Sequence, residues 1–548
     1  MSKIKSNYEI ISDKENNVPV TTTPYIKHGD KWLDSVVDNL DNCVNVKNFG
    51  AVGDGVTDDR PSIQLALDYA RDNHITKIVI ENGTFLIGWI EETITYDVPM
   101  KYGVGLVLYS GMHVVIKDAS IIAKTNKYGR YHTIKIAECK DVTVEGYNAF
   151  IVGDRVTHID DGEHLPAGQN EQGTGILVKD SERIIIKNFE LSKFWGDGIT
   201  ISGSSCVSVS NVISDYNRRQ GMSIIGSNNV ITTCSKFINT DGVLPRSGVD
   251  VEPDNLDESY DITFIDCEFI GNKGHGLLVT ATSYGINAIN CKFEGNTYNS
   301  AVYTDSTTVI PHDVVYDNCI FYKSGYGGLR IKNAKNIIVR NCNFNEKTFC
   351  IQQIGDVSEN LIVDGCTMTL ETKATYGMTA VNAHIINNNF VDIICDTSDT
   401  ARPDSAAIYS YNPHLMRIEG NVFRGCTRGV RFSGNTSRVN KYLVIKGNTV
   451  EFTDTKASGV GILVRRCDNV RIESNTIIHH NDNDKTIAIG FDEATGAYIF
   501  DNIAEFDNDL GHFLERYQSK SMVIRYIDGR YVIIGPDGLI VETEKPEE

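Results

Sequence analysis

Two neighbouring phrases decide the fold of this chain: ITFIDCEFIGN at residues 262–272 and INAINCKFEGN at residues 286–296. Related phrases follow at 314–325, 337–347 and 361–370. Each carries one cysteine, and the spacings are 24, 28, 23 and 24 residues along Cys267, Cys291, Cys319, Cys342 and Cys366. The period fits a leucine-rich repeat or a parallel β-helix, but the leucine pattern of the former is absent. Short strands rich in Val, Ile, Asn and Gly therefore predict stacked strands with tight polar corners and one continuous core.

A second phrase, a small residue followed by an alternating apolar strand, runs between the first set. It reads GILV at 175, GITI at 198, GMSI at 221, GVDV at 248, GLLV at 276 and GLRI at 328, with SAVYT at 300–304 as an intervening turn. We expect the cysteines to form an internal ladder of small apolar side chains. We expect asparagines, as in INNNF at 385–389, to satisfy backbone groups at the corners.

The segment NVKNFGAVGDGVTDDRPSIQLALDYARDN at 45–73 precedes the repeats. Asp58 or Asp59 can cap a helix that has Pro61 in its first turn. One amphipathic helix in front of a strand stack predicts a lid over the open end, which otherwise exposes unpaired strand edges.

FGAVGDGVTDD followed by this helix resembles the opening of pectate-lyase-like right-handed β-helix proteins, and its position after a short polar leader resembles bacteriophage tailspikes. The resemblance implies an all-β, right-handed parallel β-helix as a single-stranded solenoid. It implies a virion-attachment leader at 1–42, a catalytic β-helix at 43–505 and, with the turns at Asp528-Gly529 and Pro536-Asp537-Gly538, a small β-hairpin appendage at 506–548. It also implies a homotrimer in the virion tail, attached to a tail or baseplate protein through the N-terminus and bound to a bacterial surface polysaccharide.

Composition restricts the partners. Lys and Arg number 52 against 72 Asp and Glu, a formal charge of −20, and no basic run is present, so we expect no nucleic-acid partner. We find neither a signal-peptide core nor a membrane-spanning apolar window, which predicts synthesis in the host cytoplasm without a signal peptide and no membrane insertion. The thirteen cysteines contain no Cys-x-x-Cys pair, so we expect free thiols, no metal and no cofactor.

The stretch SGVDVEPDN at 247–255 holds the leading catalytic candidates, Asp250 and Glu252. Residues i and i+2 of a strand share a face, roughly 6.5 Å apart, and repulsion between them raises one pKa, as an acid catalyst near neutral pH requires. Outward acids on a β-helix can also simply be solvated, which is how we interpret Asp254. Aligning the glycine phrases places Asp197 two turns before this strand as a third acidic candidate.

Polar and aromatic residues around these acids predict a polysaccharide groove. The candidate substrate-binding residues are Trp195, Arg219, Gln220, Asp241, Arg246, His275 and Arg330. NTDG at 239–242, GHG at 274–276 and RIK at 330–332 resemble polygalacturonase motifs in order but not in spacing. RRQGMSI at 218–224 followed by NTDGVLPRSGVDVEPD at 239–254 resembles a block of β-helix proteins that act on uronate-containing or capsular polysaccharides. The acid-rich loop at 152–173 is interpreted first as a groove wall and second as a cation site.

Three functions follow as hypotheses. The first is a tailspike depolymerase that hydrolyses a capsular polysaccharide or exopolysaccharide, with Asp250 and Glu252 as acid and as base or nucleophile. The second is a lyase that abstracts a proton α to a uronate carboxylate, for which Arg219, His275 and Arg330 could serve. The third is a non-catalytic adhesin spike.

Overall fold

The computed structural model describes residues 8–10, 26–28, 31–32, 43–95, 99–160, 171–253, 258–394, 405–435, 442–452, 460–480, 487–506, 512–517, 520–525, 531–534 and 540–543. Strands stack in parallel register from one turn to the next and form three long faces. The predicted right-handed parallel β-helix is confirmed.

Face 1 carries the site described below. Its strands are Arg130–Ala137, Gln172–Lys179, Asp197–Ser202, Gln220–Ile225, Ser247–Glu252, His275–Thr280, Tyr298–Tyr303, Gly327–Lys332, Ile351–Ile354, Tyr376–Thr379, Ala406–Tyr411, Arg428–Ser433, Val460–Arg465, Ile487–Asp492 and His512–Tyr517. A hairpin of Ile90–Thr95 and Pro99–Leu108 begins this face, with the second strand pairing in parallel to the first turn.

Faces 2 and 3 share long strands in the first turns and separate later. The shared strands are Lys77–Ile87, His113–Ala123, Lys140–Val152, Glu182–Ser192 and Ser205–Asp215. Face 2 continues with Asn228–Thr233, Tyr260–Ile265, Tyr284–Ile289, His312–Asp317, Lys335–Arg340, Glu359–Asp364, Ala383–Ile386, Arg417–Glu419, Leu443–Lys446, Val470–Glu473, Thr495–Phe500 and Lys520–Arg525. Face 3 continues with Lys236–Ile238, Glu268–Ile270, Lys292–Glu294, Ile320–Tyr322, Asn343–Glu346, Thr367–Leu370, Asn389–Val391, Val422–Arg424, Thr449–Phe452, Thr476–His479 and Ile503–Phe506.

The corner between faces 2 and 3 explains the cysteine period. Each turn there passes through a left-handed residue, such as Asn290 at φ 53° or Asn341 at φ 55°, which Asn, Asp and Gly adopt most readily. The residue after it points inward. The inward residues are Cys267, Cys291, Cys319, Cys342 and Cys366, followed in the next turns by Asn388, Asn421, Asn448, Asn475 and Asn502. We call this series the corner column. The predicted cysteine ladder and the asparagine corners are thus one column, in which one residue type replaces the other.

The small residue that opens each face 1 strand is required by close backbone contact. A Cβ on Gly198 would lie 2.6 Å from the carbonyl oxygen of Gly221, and one on Gly221 would lie 2.5 Å from that of Gly248. These distances are shorter than any tolerable contact, so glycine fits where a larger side chain would push successive turns apart.

A helix covers the first turn, as predicted. It spans Arg60–Asp72 and buries Ile63, Leu67 and Ala70 against the core, while Val46–Phe49 forms a 3₁₀ turn before it and Cys43–Asn45 and Asp54–Asp58 add short strands. Of the two predicted capping residues, Asp58 accepts from the backbone N–H of Arg60, the first residue of the helix, at 3.2 Å. Asp59 is the N-cap residue, but its carboxylate accepts from the backbone N–H groups of Val52 and Gly53 at 2.6 and 3.0 Å, and so folds the glycine turn instead.

The two ends of the chain add small antiparallel units. Near the N-terminus, Tyr8–Ile10, Ile26–His28 and Lys31–Trp32 pair with one another. Near the C-terminus, Lys520–Arg525 pairs with Tyr531–Ile534, which pairs with Ile540–Thr543, while His512–Tyr517 and Lys520–Arg525 still stack in parallel on the β-helix. The predicted turn residues Asp528, Gly529 and 536–538 lie outside the described residues, and the domain boundaries at 42 and 505 stay predictions. In the described part of the chain, no helix is long and apolar enough to cross a membrane.

Candidate active site

The acidic candidates lie on face 1, with Asp250 and Glu252 on one turn and Asp197 two turns before it. Ser223 is directly opposite Asp250 in the parallel register, and Ile225 is opposite Glu252. In Ser247–Glu252 the side chains of Val249 and Val251 enter the core, so Asp250 and Glu252 share the outer side as the alternation predicts. Asp197 lies opposite Gln220 and joins the same patch.

Polar side chains connect Asp197 to Asp250 across three turns. Gln220 Nε2 donates to Asp250 Oδ2 at 2.7 Å, and Ser223 Oγ donates to Asp197 Oδ2 at 2.7 Å. Ser223 Oγ also contacts Gln220 Oε1, which completes the link between the two acids. Thr200 donates to Asp197 Oδ2 at 3.2 Å. Asp197 is therefore held by several donors, whereas Oδ1 of Asp250 is buried without a partner.

Arg219 supplies the positive charge of this patch. Its Nη1 lies 3.2 Å from Asp197 Oδ2, its Nη2 4.0 Å from Glu252 Oε1 and its Nε 3.7 Å from Glu171 Oε1. Burial alone would lower the pKa of Arg219, but the charges of these acids and of Asp250 raise it above its ordinary value. One guanidinium thus faces four carboxyl groups, which leaves the patch short of positive charge if all four are ionised.

This shortage of positive charge affects the pKa of Asp250. It is 3% exposed, and burial, followed by the charge of Glu252, raises its pKa well above its ordinary value. Arg219 and the Gln220 hydrogen bond lower the pKa of Asp250, and Asp197 raises it again. The net direction is upward, so Asp250 tends to hold a proton where an exposed aspartate has lost it. Glu252, with a side chain 30% exposed, stands nearer to the solvent.

An aromatic and basic wall borders the patch at Trp195. The ring of His158 stacks on Trp195 at 4.1 Å, and the guanidinium carbon of Arg218 lies 3.8 Å over the indole. His158 is itself fixed by Asp154, whose Oδ2 lies 2.9 Å from His158 Nδ1. Trp195, predicted to stack on sugar, therefore already contacts two side chains, which cover part of its ring.

The acid-rich loop is described only at its two ends. His158 turns inward to Asp154, and Glu171 reaches Arg219. Asp161, Glu163 and His164 lie outside the described residues. Among the residues that are described, no group of three or more His, Cys, Asp or Glu side chains is arranged to hold a metal ion.

A second polar group lies on the following turns of face 1. His275 stacks on Tyr298 at 5.6 Å, and the guanidinium carbon of Arg330 lies 5.4 Å from the ring of Tyr298 and 5.6 Å from that of Tyr303. Burial, followed by the charge of Arg330, lowers the pKa of His275 to about 4, so its imidazole is neutral at physiological pH. His275 and Arg330 are thus brought together, and sequence reasoning missed the tyrosines between them.

Asp241 and Arg246 occupy the loop between Lys236–Ile238 and Ser247–Glu252. Burial lowers the pKa of Arg155, whose guanidinium lies over the ring of Tyr216, and the charge of Asp241 raises that pKa in part. No hydrogen bond or ion pair among the described residues joins Asp241 to the acidic patch. Arg246, directly before Ser247, has a buried Nε without a hydrogen-bond partner. Asp241 is therefore set apart from Asp197 and Asp250, while Arg246 stays next to the strand that carries Asp250.

Comparison with known proteins identifies the architecture. The family model described as "Right handed beta helix region" matches residues 157–314 and 280–450, more than half of the 548 residues. The chain belongs to this right-handed β-helix family. Among curated proteins, it is 23% identical over 270 residues to the uncharacterized protein YclG of Bacillus subtilis (strain 168), a match spanning 43% of this chain and 44% of that protein.

Solved structures are similar to this chain at low sequence identity. The A-module of mannuronan C-5 epimerase AlgE4 from Azotobacter vinelandii is 15% identical with a TM-score of 0.41, over 88% of this chain and 97% of that one. A mutant tailspike protein of E. coli bacteriophage HK620, in complex with a hexasaccharide, is 12% identical with a TM-score of 0.48, over 96% and 87%. These likenesses concern the course of the backbone.

Proposed function

We propose that this protein binds and hydrolyses a polysaccharide on the outer side of face 1, with Asp250 as the general acid and Glu252 as the base or nucleophile. The raised pKa of buried Asp250 beside the more exposed Glu252 carries the proposal. Glycoside hydrolysis needs one carboxyl group that keeps its proton and another that has lost it, and different environments separate the two roles.

The proposed reaction uses the patch as follows. Asp250 donates its proton to the glycosidic oxygen as the bond to the anomeric carbon breaks, and Glu252 either activates a water molecule or attacks that carbon. Arg219 and Asp197 position the acid through the Ser223 and Gln220 link. Because Asp250 is 3% exposed, its proton reaches a substrate only after a neighbouring side chain shifts.

A second candidate reaction is β-elimination by a lyase, and one observation favours it. His275 is neutral at physiological pH and lies in the same aromatic group as Arg330. A neutral imidazole can accept the proton α to a uronate carboxylate, and a guanidinium can neutralise that carboxylate. In this alternative the acidic patch at Asp250 binds sugar without reacting.

The biological setting belongs to the same proposal. We infer a role in the virion tail as a homotrimeric depolymerase that opens a bacterial capsule or exopolysaccharide for host adsorption, with the N-terminal segment attached to a tail or baseplate protein. The support is the resemblance of FGAVGDGVTDD and its helix to the opening of tailspike β-helices. Mass measurement of the purified protein in solution tests the trimer, which a monomeric mass contradicts.

The test of the reaction is product analysis on a panel of polysaccharides. The panel contains neutral dextran and pullulan, acidic polygalacturonate and alginate, and purified bacterial capsules and exopolysaccharides. Wild-type protein and the double variant Asp250→Asn with Glu252→Gln are incubated with each polymer, and products are analysed by mass and by ultraviolet absorbance.

The hydrolase predicts the addition of one water molecule for each glycosidic bond cleaved, no new ultraviolet absorbance, and no fragments with the double variant. Unsaturated, ultraviolet-absorbing fragments establish the lyase instead, and His275→Ala should then abolish them. Binding without fragmentation of any polymer in the panel supports the non-catalytic adhesin and contradicts both the hydrolase and the lyase.

A further inference from the structure

A cavity of about 320 Å³ lies further along face 1, where Ile351–Ile354, Tyr376–Thr379 and Ala406–Tyr411 end. Three tyrosines and the buried Thr379 are among the residues that line it. Its principal lining residues are Tyr376, Tyr409, Tyr411, Thr379, Asp356 and Asn412. Neither the acidic patch nor the His275 group contributes to it.

The cavity is aligned with the acidic patch. The parallel register runs from Asp250 through Leu278, Ala301, Arg330 and Gln352 to Thr379 and then Tyr409. All of these lie on one outward column, and neighbouring strands are about 4.8 Å apart. Five steps place Thr379 about 24 Å from Asp250, and six place Tyr409 about 29 Å away.

A series of aromatic rings runs from His275, one turn after Asp250, to the cavity. His275 stacks on Tyr298 at 5.6 Å, Tyr298 and Phe349 are 6.4 Å apart, and Phe349 and Tyr376 are 6.2 Å apart. Tyr376 and Tyr409 follow at 6.4 Å with nearly parallel rings. Phe349 is buried, so the rings of this series that a polymer along this side of face 1 meets are those of His275, Tyr298, Tyr376 and Tyr409.

The chemistry of the cavity fits uncharged sugar. The flat apolar face of a tyrosine ring packs against the C–H side of a pyranose, and its hydroxyl remains available to polar groups. The buried hydroxyl oxygen of Thr379 has no hydrogen-bond partner, and Asn412 adds an amide. Gln352 donates to the Tyr376 hydroxyl at 2.7 Å and so fixes the edge of that ring. Among the lining residues that the structure describes, Asp356 is the one charged side chain, so the lining offers no basic partner to a uronate or another anion.

We propose that this cavity is a second glycan-binding site that holds neutral pyranose residues of the same chain that is cut at Asp250. The claim that this polysaccharide is the one cut at Asp250 rests on the proposed function. The binding site itself rests on the cavity, its rings and the Thr379 hydroxyl. Two connected sites raise the local concentration of polymer at the acids, and a fragment shorter than about 24 Å gains nothing because it cannot reach both.

The experiment measures binding separately from cleavage. Asp250→Asn is the parent protein, so that polymers remain intact, and Tyr411→Ala, Tyr409→Ala and Thr379→Val are each added to it. Tyr411 is 51% exposed and its truncation leaves the core intact, while Thr379→Val keeps the shape and removes only the hydroxyl. The matched control is Tyr442→Ala, a tyrosine 72% exposed that lies outside the cavity lining. Native gels containing dextran, pullulan or each purified capsule give the dissociation constants.

We expect each cavity variant to weaken binding of at least one polymer by about tenfold while Tyr442→Ala binds like the parent. In the background with Asp250 intact, the KM for that polymer should rise, and kcat/KM for short fragments should be unchanged. Binding equal to the parent in all three cavity variants overturns the site, as does a parent that binds no polymer. Loss of binding in the variants with no cleavage by wild-type protein keeps this site and overturns the hydrolase. Cleavage by wild-type protein together with unaffected binding in the three cavity variants keeps the hydrolase and overturns this site.

Discussion

The corner column and the outer side of face 1 both stack one polar position on the next, yet they differ in how those positions are satisfied. In the corner column, Asn421 accepts at 2.9 Å from both the backbone N–H and the amide of Asn388, and donates at 2.9 Å to Asn448 Oδ1 and to the Ile385 carbonyl. Asn448 and Asn475 repeat the pattern. The asparagine turns of the column thus carry the same bonds.

The outer side repeats neither residue type nor charge. Asp250 has a buried oxygen without a partner, and the residues on either side of it in the column are Ser223 and Leu278. Burying a carboxyl group without full pairing costs free energy, so folding does not account for it. The comparison teaches that regularity in this fold marks stability, and that departure from the repeat marks the place to look for chemistry.

The largest effect is expected where the repeat is broken. Asp250→Asn should lower kcat on the polysaccharide that wild-type protein cleaves by about 10²–10⁴-fold, because the amide cannot protonate the leaving oxygen. Asp241→Asn is the control, since Asp241 lies apart from the patch, and it should retain activity within about twofold. Reducing-end assays give both rates. Equal losses in the two variants count against a special role for Asp250.

Breaking the regular column should cost stability instead. Asn448→Ala removes two donated and two accepted hydrogen bonds inside the core and should lower the free energy of unfolding by about 2–4 kcal/mol, without a specific effect on catalysis. The control is Asn287→Ala, at a half-buried strand position where the amide donates to the Gly285 carbonyl at 3.4 Å, and which should cost less than about 1 kcal/mol. Urea denaturation followed by circular dichroism measures both. A smaller loss for Asn448→Ala than for Asn287→Ala contradicts the structural role of the column.

The pH dependence of stability sharpens the contrast at Asp250. Its pKa is raised in the folded protein, so its favourable contribution is present at acid pH and is lost as pH rises through the folded-state pKa. Asp250→Asn keeps an acceptor for Gln220 but cannot ionise. We therefore expect the variant to be more stable than wild type by at least about 1 kcal/mol at pH 8, with the difference vanishing below about pH 4. Melting temperatures across this range test it, and a variant less stable than wild type at pH 8 is the contrary result.

The smallest effect concerns the junction between cysteines and asparagines in the corner column. Cys366 already donates its backbone N–H to Asn388 Oδ1 at 2.8 Å, and its Sγ accepts from Cys342 N at 3.4 Å. Cys366→Asn should extend the asparagine ladder by one turn and change stability by no more than about 1 kcal/mol. Cys291→Asn should cost more, because Cys319 in the next turn offers no amide oxygen. Denaturation midpoints compare the two variants. A greater loss of stability for Cys366→Asn than for Cys291→Asn contradicts the interchange of cysteine and asparagine in the column.

Most of the fold could be predicted from the sequence because the repeat period of a solenoid is visible as regular spacing of residues. The spacing from Cys267 to Cys366 and the glycine phrases gave the stacking and the correct register of Ser223 with Asp250. Of the two capping candidates, Asp58 accepts from the N–H of Arg60, whereas the Asp59 carboxylate accepts from the backbone N–H groups of a nearby turn, which a local rule for helix ends does not include.

The site could be predicted only as a patch. Alternation places Asp250 and Glu252 on one side, but the Ser223–Gln220 link and the position of Arg219 depend on side-chain orientation across three turns. The tyrosines at 376, 409 and 411 were missed although a signal exists. Continuing the small-residue alignment past 328 leads to Gly377, Ala407, Gly429 and Gly461, and places Tyr409 on the column of Asp250.

The pH dependence of the cleavage rate tests the central claim most directly, namely that the repeat is broken at Asp250 in order to keep a protonated acid. With the polysaccharide that the protein cleaves, kcat measured from pH 3 to pH 9 should fall with rising pH only well above about pH 4, as Asp250 loses its proton. A rate that falls as pH rises through about 4, the range of an ordinary exposed aspartate, contradicts the account.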